Sequence, residues 1–486
     1  MTTALILLPL AGALVVWMLP LPGRVAGGLA FVVALAEVTL WAVALTQFDF
    51  GRDLQLVDRQ SWFSDLGVSY HVGFFGFSLW LAGLAVVVCA AAIGYAWWAD
   101  RKRARAYHGL LLFLTGAIVG VFTAQDLLLF YVFFEAMLIP IYVLIGVWGG
   151  PRRVATTAKF VIYTMAGSLL MLASIIAFGL SQGTFDLVDS GRSDSTWVFL
   201  GFLAAFAVKA PLFPFHGWLV DAYRESPPEL SAILSGVVSK AAVFGMLRIG
   251  IEKFPGPVDD LQEAILTLAA IGLVYGSLLA FRARDLRSVT AYSSMSQMSL
   301  IVLGLFSLNE LGVNGAVLHS VAHGLVSATL FLLAGMIESR TGGTSDFGVL
   351  GGMAKGRPML ATILMTTGII ALAVPGSVAF AGEFLILAGI YDEGWWWAAI
   401  GAGAIVLAAM YMLRLISAVL HRARGFDVPG DRLDLRGPEL AVLAPLVGLL
   451  LVLSAWPASV AERSLPAAEA GAGATQLGAA QPKAAP

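Results

Sequence analysis

Apolar stretches long enough to cross a bilayer follow one another down almost the whole of this 486-residue chain. A bilayer core about 30 Å thick takes roughly 20 apolar residues per helix. Windows of that length fall near 3–22, 27–47, 77–98, 108–124, 127–148, 159–180, 196–220 and 230–251. They continue near 261–281, 288–308, 312–337, 359–391, 396–420 and 438–457. The sequence therefore predicts an all-α polytopic membrane protein of about fourteen spans. Only 12% of residues are charged, against about 25% in soluble domains. The first span has no basic residue before it and reads as a retained helix, not a cleaved signal. Cys89, the one cysteine, lies inside a span, which excludes disulfides and cysteine-held zinc or clusters. No GxGxxG, P-loop or EF-hand pattern occurs, so no cofactor is announced.

The loops alternate in charge. One set carries Arg24, Arg101–Arg105, Arg152/Arg153/Lys159, Arg224, Arg282/Arg284/Arg287, Arg340/Lys355/Arg357 and Arg422/Arg424/Arg432/Arg436. The other set is acid-rich, with Asp49, Asp58, Asp186, Asp189, Asp259 and Asp392 among its members. Basic loops stay cytoplasmic, which puts both termini on the opposite side. The stretch from Pro457 is Ala, Gly, Pro and Gln with few charges and reads as a disordered tail over 458–486.

Few ionisable groups remain inside the spans: Glu37, Glu135, Lys209, Lys240, Arg248, His319, His323, Glu383 and Arg414. Lys209 stands near mid-depth in FLAAFAVKAPLFPFHGW, just before Pro211 and Pro214. A helical proline removes its own N–H and clashes with the carbonyl four residues back, so the carbonyls of Ala207 and Ala210 are expected to lose their partners. Loosened backbone and a buried cation survive in a membrane where protein or a watery cavity surrounds them. Glu135 stands five residues before Pro140, which strips the carbonyl of Ala136. Pro375–Gly376 interrupts the twelfth span and Glu383 follows. Two proline-broken spans, each with an ionisable group, point to paired repeats around a mid-membrane pathway. Five spans separate them, so spans 4–8 (108–251) and 9–13 (261–420) read as related units, the second inverted. Residues 1–107 then supply three leading helices, and 438–457 a last one.

Lys240 has small neighbours, Ser235, Gly236, Ser239, Ala241 and Ala242, that allow close helix contact. His319 and His323 share a face of one helix. That spacing could hold a metal, but no third ligand lies nearby in sequence; a proton relay fits histidine better. His319 is also compatible with a satisfied core residue. Arg248 and Arg414 read as groups anchored at helix ends, and Glu37 as either a polar helix contact or a functional acid. Glu, Lys, Lys, His and Glu over five spans resemble a proton wire more than a solute pocket, which needs an aromatic and amide lining.

Glu135, Lys209, His323 and Glu383 sit in FFEAMLIPIY, FAVKAPLFPFHGWLVDA, SVAHGLVSATLFLLAG and PGSVAFAGEFLILAG, and KFVIYTMAGSLLML and ARDLRSVTAYSSMSQMSL stand between them. Over roughly Leu110 to Arg424 the chain resembles the antiporter-like subunits of proton-pumping NADH–quinone oxidoreductase, respiratory complex I, with FFEAMLIP favouring the subunit M family. The resemblance implies a bacterial plasma-membrane protein that moves protons beside other membrane-arm subunits, with subunits L and N as neighbours. NADH, flavin, iron–sulfur clusters and quinone would be handled elsewhere, and no cofactor, metal or nucleic acid would bind here. It also implies that Glu135 modulates Lys209, the carrier of a first half-channel. Lys240 would then link to the middle, and His323 would lead on to Glu383, the carrier of the second. Sister subunits usually have lysine at that last position. Gln297 stands where the family often has histidine, and HGWLVDAY replaces the usual HGWLPDAH, with Val220 and Tyr223. A multi-subunit cation/proton antiporter or a membrane-bound hydrogenase reuses the same pattern, and a purely structural scaffold is the third reading.

Overall fold

The computed structural model describes residues 1–423, 425 and 434–465. Arg424, Arg432 and the tail over 466–486 lie outside the described residues. Every predicted span is occupied by helix. The leading helices are α1 (Thr2–Met18), α2 (Gly23–Gln47) and α3 (Gly76–Trp98). Next come α4 (Ala104–Thr123), α5 (Leu127–Trp148), α6 (Arg153–Gln182), the broken pair α7a (Thr196–Lys209) and α7b (Leu219–Glu225), and α8 (Pro228–Ile251). A second series follows: α9 (Pro255–Arg282), α10 (Leu286–Leu305), α11 (Glu310–Glu338), the broken pair α12a (Pro358–Ala371) and α12b (Val378–Tyr391), and α13 (Trp395–His421). The last long helix is α14 (Gly437–Ala455). Ten described helices are long and apolar enough to cross a membrane, so the protein is multi-pass.

The all-helical expectation needs one amendment. Between α2 and α3 the chain forms an antiparallel hairpin, β1 (Gln55–Phe63) on β2 (Val68–Phe74), in which Gln60 faces Tyr70. β2 is buried while β1 faces outward. A second correction concerns the tail: Ala458–Ala461 is helical and Val460 is buried, so the first residues of that stretch pack against the bundle.

α8 and α11 are buried throughout, whereas α2 and α6 leave much apolar surface outside. The two central helices touch backbone to backbone. A Cβ on Gly236 would lie 3.0 Å from the Gly324 carbonyl, and one on Gly324 would lie 2.6 Å from that of Gly236. Glycine at both positions permits this crossing, and it brings Lys240 beside the histidines of α11.

The helix starts repeat. Asp126 caps α5 by accepting the N–H groups of Leu128 and Leu129; Asp285 caps α10 by accepting that of Ser288. Each cap is crossed by a remote loop in the same way. Leu187 N–H bonds the Gln125 carbonyl and Phe347 N–H that of Arg284. In both loops a threonine hydroxyl receives the N–H two residues on, from Asp186 or Asp346.

The loop contacts sort by end. Arg101 pairs with Glu229, Arg152 with Glu225, Arg287 with Glu338 and Arg340 with Glu439. These gather the arginine-rich loops at one end of the bundle. At the other end Arg59 pairs with Asp186 and Asp189, and the amino terminus with Asp58. The charge alternation read from sequence thus corresponds to two faces of the folded chain.

Candidate functional site

Lys209 is the last residue of α7a and 4% exposed, so its ammonium is held inside protein and does not snorkel. Its Nζ lies 4.4 Å from the centroid of the Phe134 ring on α5. Glu135, next along α5 and half-buried, acts on it through space without a direct ion pair. No hydrogen bond ties the ammonium down among the described residues. Phe130, Phe206 and Phe244 cluster alongside, with ring centroids 6.3 Å apart for Phe130 and Phe206 and 6.0 Å apart for Phe130 and Phe244.

The prolines open the helix as expected, but one expected consequence is corrected. The chain turns after Ala210, and Leu212 N–H reaches back to the Ala207 carbonyl at 2.9 Å, so that carbonyl is not orphaned. The Trp218 indole N–H likewise caps the Val208 carbonyl at 3.0 Å. Ahead of Pro140, α5 is interrupted at Met137, as loss of the Ala136 bond requires.

Lys240 is fully buried on α8, between the π-helical turns Leu234–Val238 and Met246–Ile251. Such turns are rare and concentrate at functional sites. Its Nζ donates to the Ser235 carbonyl at 2.8 Å and the Ser239 hydroxyl at 3.3 Å, and meets His323 Nδ1 at 2.8 Å. Three partners use the three donors of an ammonium. One turn away on α11, the His319 ring stacks on that of His323 with centroids 6.4 Å apart. His319 Nε2 meets Gln297 Oε1 of α10 at 2.7 Å, while Nδ1 has no hydrogen-bond partner among the described residues.

The Gln297 side chain also interacts with the Glu383 carboxyl on α12b, and Tyr411 of α13 borders the same acid. Glu383 is 3% exposed and one of its oxygens has no hydrogen-bond partner among the described residues. Gly382 makes this approach possible, because a Cβ there would lie 2.9 Å from that of His319.

The fold thus brings Lys240, His323, His319, Gln297 and Glu383 into one buried line. Glu135 and Lys209 form a separate group; no hydrogen bond or ion pair joins Lys209 to Lys240 among the described residues. Arg248 is bonded to Gln125 and Glu252, and Arg414 to the Phe281 carbonyl, so both are anchored within the protein. Glu37 is fully buried and neither of its oxygens is hydrogen-bonded among the described residues. Phe134, Tyr411 and the π turns were missed in the sequence. Phe134 lay one residue from a candidate, but a phenylalanine in an apolar run gives no signal. Among the described residues, no three His, Cys, Asp or Glu side chains gather as metal ligands would.

Comparison with known proteins adds three findings. Residues 124–408 match the family described as NADH:quinone oxidoreductase/Mrp antiporter, transmembrane. The NADH-quinone oxidoreductase subunit M of Mycobacterium tuberculosis is 36% identical, over 95% of this chain and 92% of that protein. A chain of respiratory complex I from Thermus thermophilus superposes with a TM-score of 0.89 at 32% identity, covering 98% of this chain and all of that one. A chain of the Mrp complex from Dietzia has a TM-score of 0.85 at 22% identity, a likeness of fold.

Proposed function

Because the chain belongs to the NADH:quinone oxidoreductase/Mrp antiporter transmembrane family, we infer that it is the proton-translocating membrane subunit, of the subunit M type, of an NADH–quinone oxidoreductase. Its task is to couple electron transfer carried out elsewhere to proton movement across the membrane. It is thus a non-redox, translocase part of the enzyme and carries no cofactor of its own. Other membrane-arm subunits are its partners, with L- and N-type chains as neighbours. It sits in a bacterial plasma membrane with both termini on the non-cytoplasmic side, on the strength of the arginine-rich loops.

The observation that carries this reading is the 2.8 Å contact between Lys240 and His323. An ammonium and an imidazole nitrogen at that distance exchange a proton without moving either helix. Lys209 is the carrier in the first half, and Glu135 biases it: a carboxylate nearby favours the ammonium, and its withdrawal favours the amine. Release from Lys209 loads the Lys240–His323 pair. From His323 the proton passes to His319 by ring rotation or through a bridging water, since the rings do not bond directly. Gln297 cannot titrate; it orients His319 and holds Glu383, which takes up the proton at the far break. Each transfer makes one N–H or O–H bond and breaks another.

The test is NADH-driven proton pumping in vesicles carrying the assembled complex with His323→Ala. The expected result is a fall of roughly a hundredfold, the scale of a lost proton-transfer group. A wild-type ratio of protons to electrons would contradict the reading.

A further inference from the structure

A groove of about 640 Å³ runs between α2, α3 and α14, with Val321 and Leu325 of α11 in its lining. Apart from four indole N–H groups, every side chain that lines it is apolar. Trp41 and Trp80 stand at one end and Trp97 and Trp98 at the other. From Trp80 to Trp97 the groove follows about 26 Å of α3, at 1.5 Å per residue, close to the roughly 30 Å of a bilayer core. Tryptophan concentrates at the two membrane–water interfaces, so the groove runs across the hydrocarbon region from one interface to the other.

Its two ends differ in charge. The Arg436 guanidinium lies 6.0 Å from the centroid of the Trp98 ring. The Trp97 indole N–H donates to the Arg24 carbonyl at 3.0 Å. Arg24 and Arg436 are both exposed, as are Asp100, Lys102 and Arg103 just beyond Trp98. The carboxylates next to Arg436 in the chain are occupied: Asp434 accepts the backbone N–H groups of Met359 and Leu360, and Glu439 pairs with Arg340. Among the described residues no acid neutralises Arg436. At the other end Arg463 lies over Phe50, which stacks on Trp80, but the exposed Asp49 and Glu462 offset it.

An apolar groove in a membrane takes up whatever lipid is nearest, so an apolar lining alone selects nothing. Its size separates the classes of occupant. A transmembrane helix about 10 Å across would need roughly two to three times this volume over the same length. An acyl chain is about one van der Waals contact wide, roughly 4 Å, and fits. Charge then separates the lipids. We propose that the groove holds the acyl chains of an anionic glycerophospholipid drawn from the leaflet at the arginine-rich end. Its phosphate meets the Arg436 guanidinium, whose planar fork suits phosphate oxygens, and Trp97 and Trp98 flank it at headgroup level. The site shares no residue with the Lys209 or Lys240 groups, so it stands independently of the proton path.

The experiment reconstitutes the purified complex in phosphatidylcholine vesicles with a trace of phosphatidylglycerol or phosphatidylcholine, each carrying the same photoactivatable acyl chain. Cross-linked peptides are mapped by mass spectrometry in the wild type, R436Q and G448F. Arg436 is exposed, so its replacement removes the charge and leaves the packing. Gly448 lines the groove and a Cβ there would meet nothing within 4 Å, so a side chain at this position occupies the groove. The expected result is labelling of α3 and α14 roughly fivefold stronger with phosphatidylglycerol, the scale of one arginine facing an anionic headgroup. R436Q should abolish that preference, and G448F should abolish labelling by either lipid. Equal labelling by the two lipids in the wild type, or a preference that survives in R436Q, would overturn the proposal in favour of unselected boundary lipid. Labelling that persists in G448F would place the lipid outside the groove and overturn it too. So would an unlabelled wild-type groove, which would mean that protein covers it. If G448F does not assemble, R436Q carries the test.

Discussion

The two broken helices hold their ionisable groups in opposite ways. Lys209 precedes its break, against the face of Phe134, with no hydrogen bond among the described residues. Glu383 follows its break beside a hydrogen-bonded pair, since His319 Nε2 and Gln297 Oε1 meet at 2.7 Å and Gly382 packs against His319. A cation over a ring gains about 0.5–2 kcal/mol and tolerates sliding, whereas a hydrogen bond fixes distance and angle. The same proline device thus leaves a loosely held cation in one half and, in the other, a carboxyl set beside a hydrogen-bonded pair. The loops that cross the two caps differ similarly. Asp186 is buried and bonded to His71 at 2.7 Å, with Arg59 beside it, whereas Asp346 is exposed.

That contrast can be broken at several points. Glu383→Ala has the largest expected effect: on the proposed path pumping falls by roughly a hundredfold or more, because no other acid stands at that break to take its place. Glu135→Gln should slow pumping by about tenfold, since Lys209 keeps its place but loses the charge that biases it; the check is the proton flux at matched NADH oxidation. Gln297→His sharpens the second half. It supplies a titratable group between His319 and Glu383, so pumping should persist with a changed pH profile, measured from pH 6 to 8, around the ordinary histidine range of about 6.5.

The smallest effect compares the two loops that cross the caps. Burial alone would raise the Asp186 carboxyl, but hydrogen bonds from His71 and the Val188 N–H, with Arg59 beside it, leave it below its ordinary value. A depressed carboxyl stabilises the fold above its unfolded pKa of about 3.9, and the contribution is lost as pH falls below that through the folded value. Asp186→Asn should therefore cost about 1–3 kcal/mol at neutral pH, and Asp346→Asn no more than about 0.5 kcal/mol. Thermal melting of the purified complex distinguishes them; equal shifts would remove the asymmetry.

The spans, the two breaks and the ionisable groups near mid-span were legible in the sequence, because proline and lysine in an apolar run are local signals; Glu229 and Glu439, buried at helix starts, were not. Pairings between distant segments were not. Nothing local links Lys240 to His323; glycines on two helices set that crossing, and glycine is common in apolar spans. Gln297 read as a lost titratable group, yet in the fold it is bonded to His319. The hairpin after α2 escaped notice because the window that finds helices is blind to two-residue alternation. The Ala207 carbonyl was read as orphaned since local geometry could not foresee the turn that brings Leu212 back to it.

The most direct measurement is NADH-driven proton pumping in vesicles carrying Lys209→Ala, with assembly of the complex checked in the same membranes. An assembled complex in which redox turnover and pumping both collapse is the expected result, and it makes Lys209 a working carrier. Pumping and turnover near wild type would show that Lys209 is only a solvated buried lysine, and would contradict the proton path described for the first half.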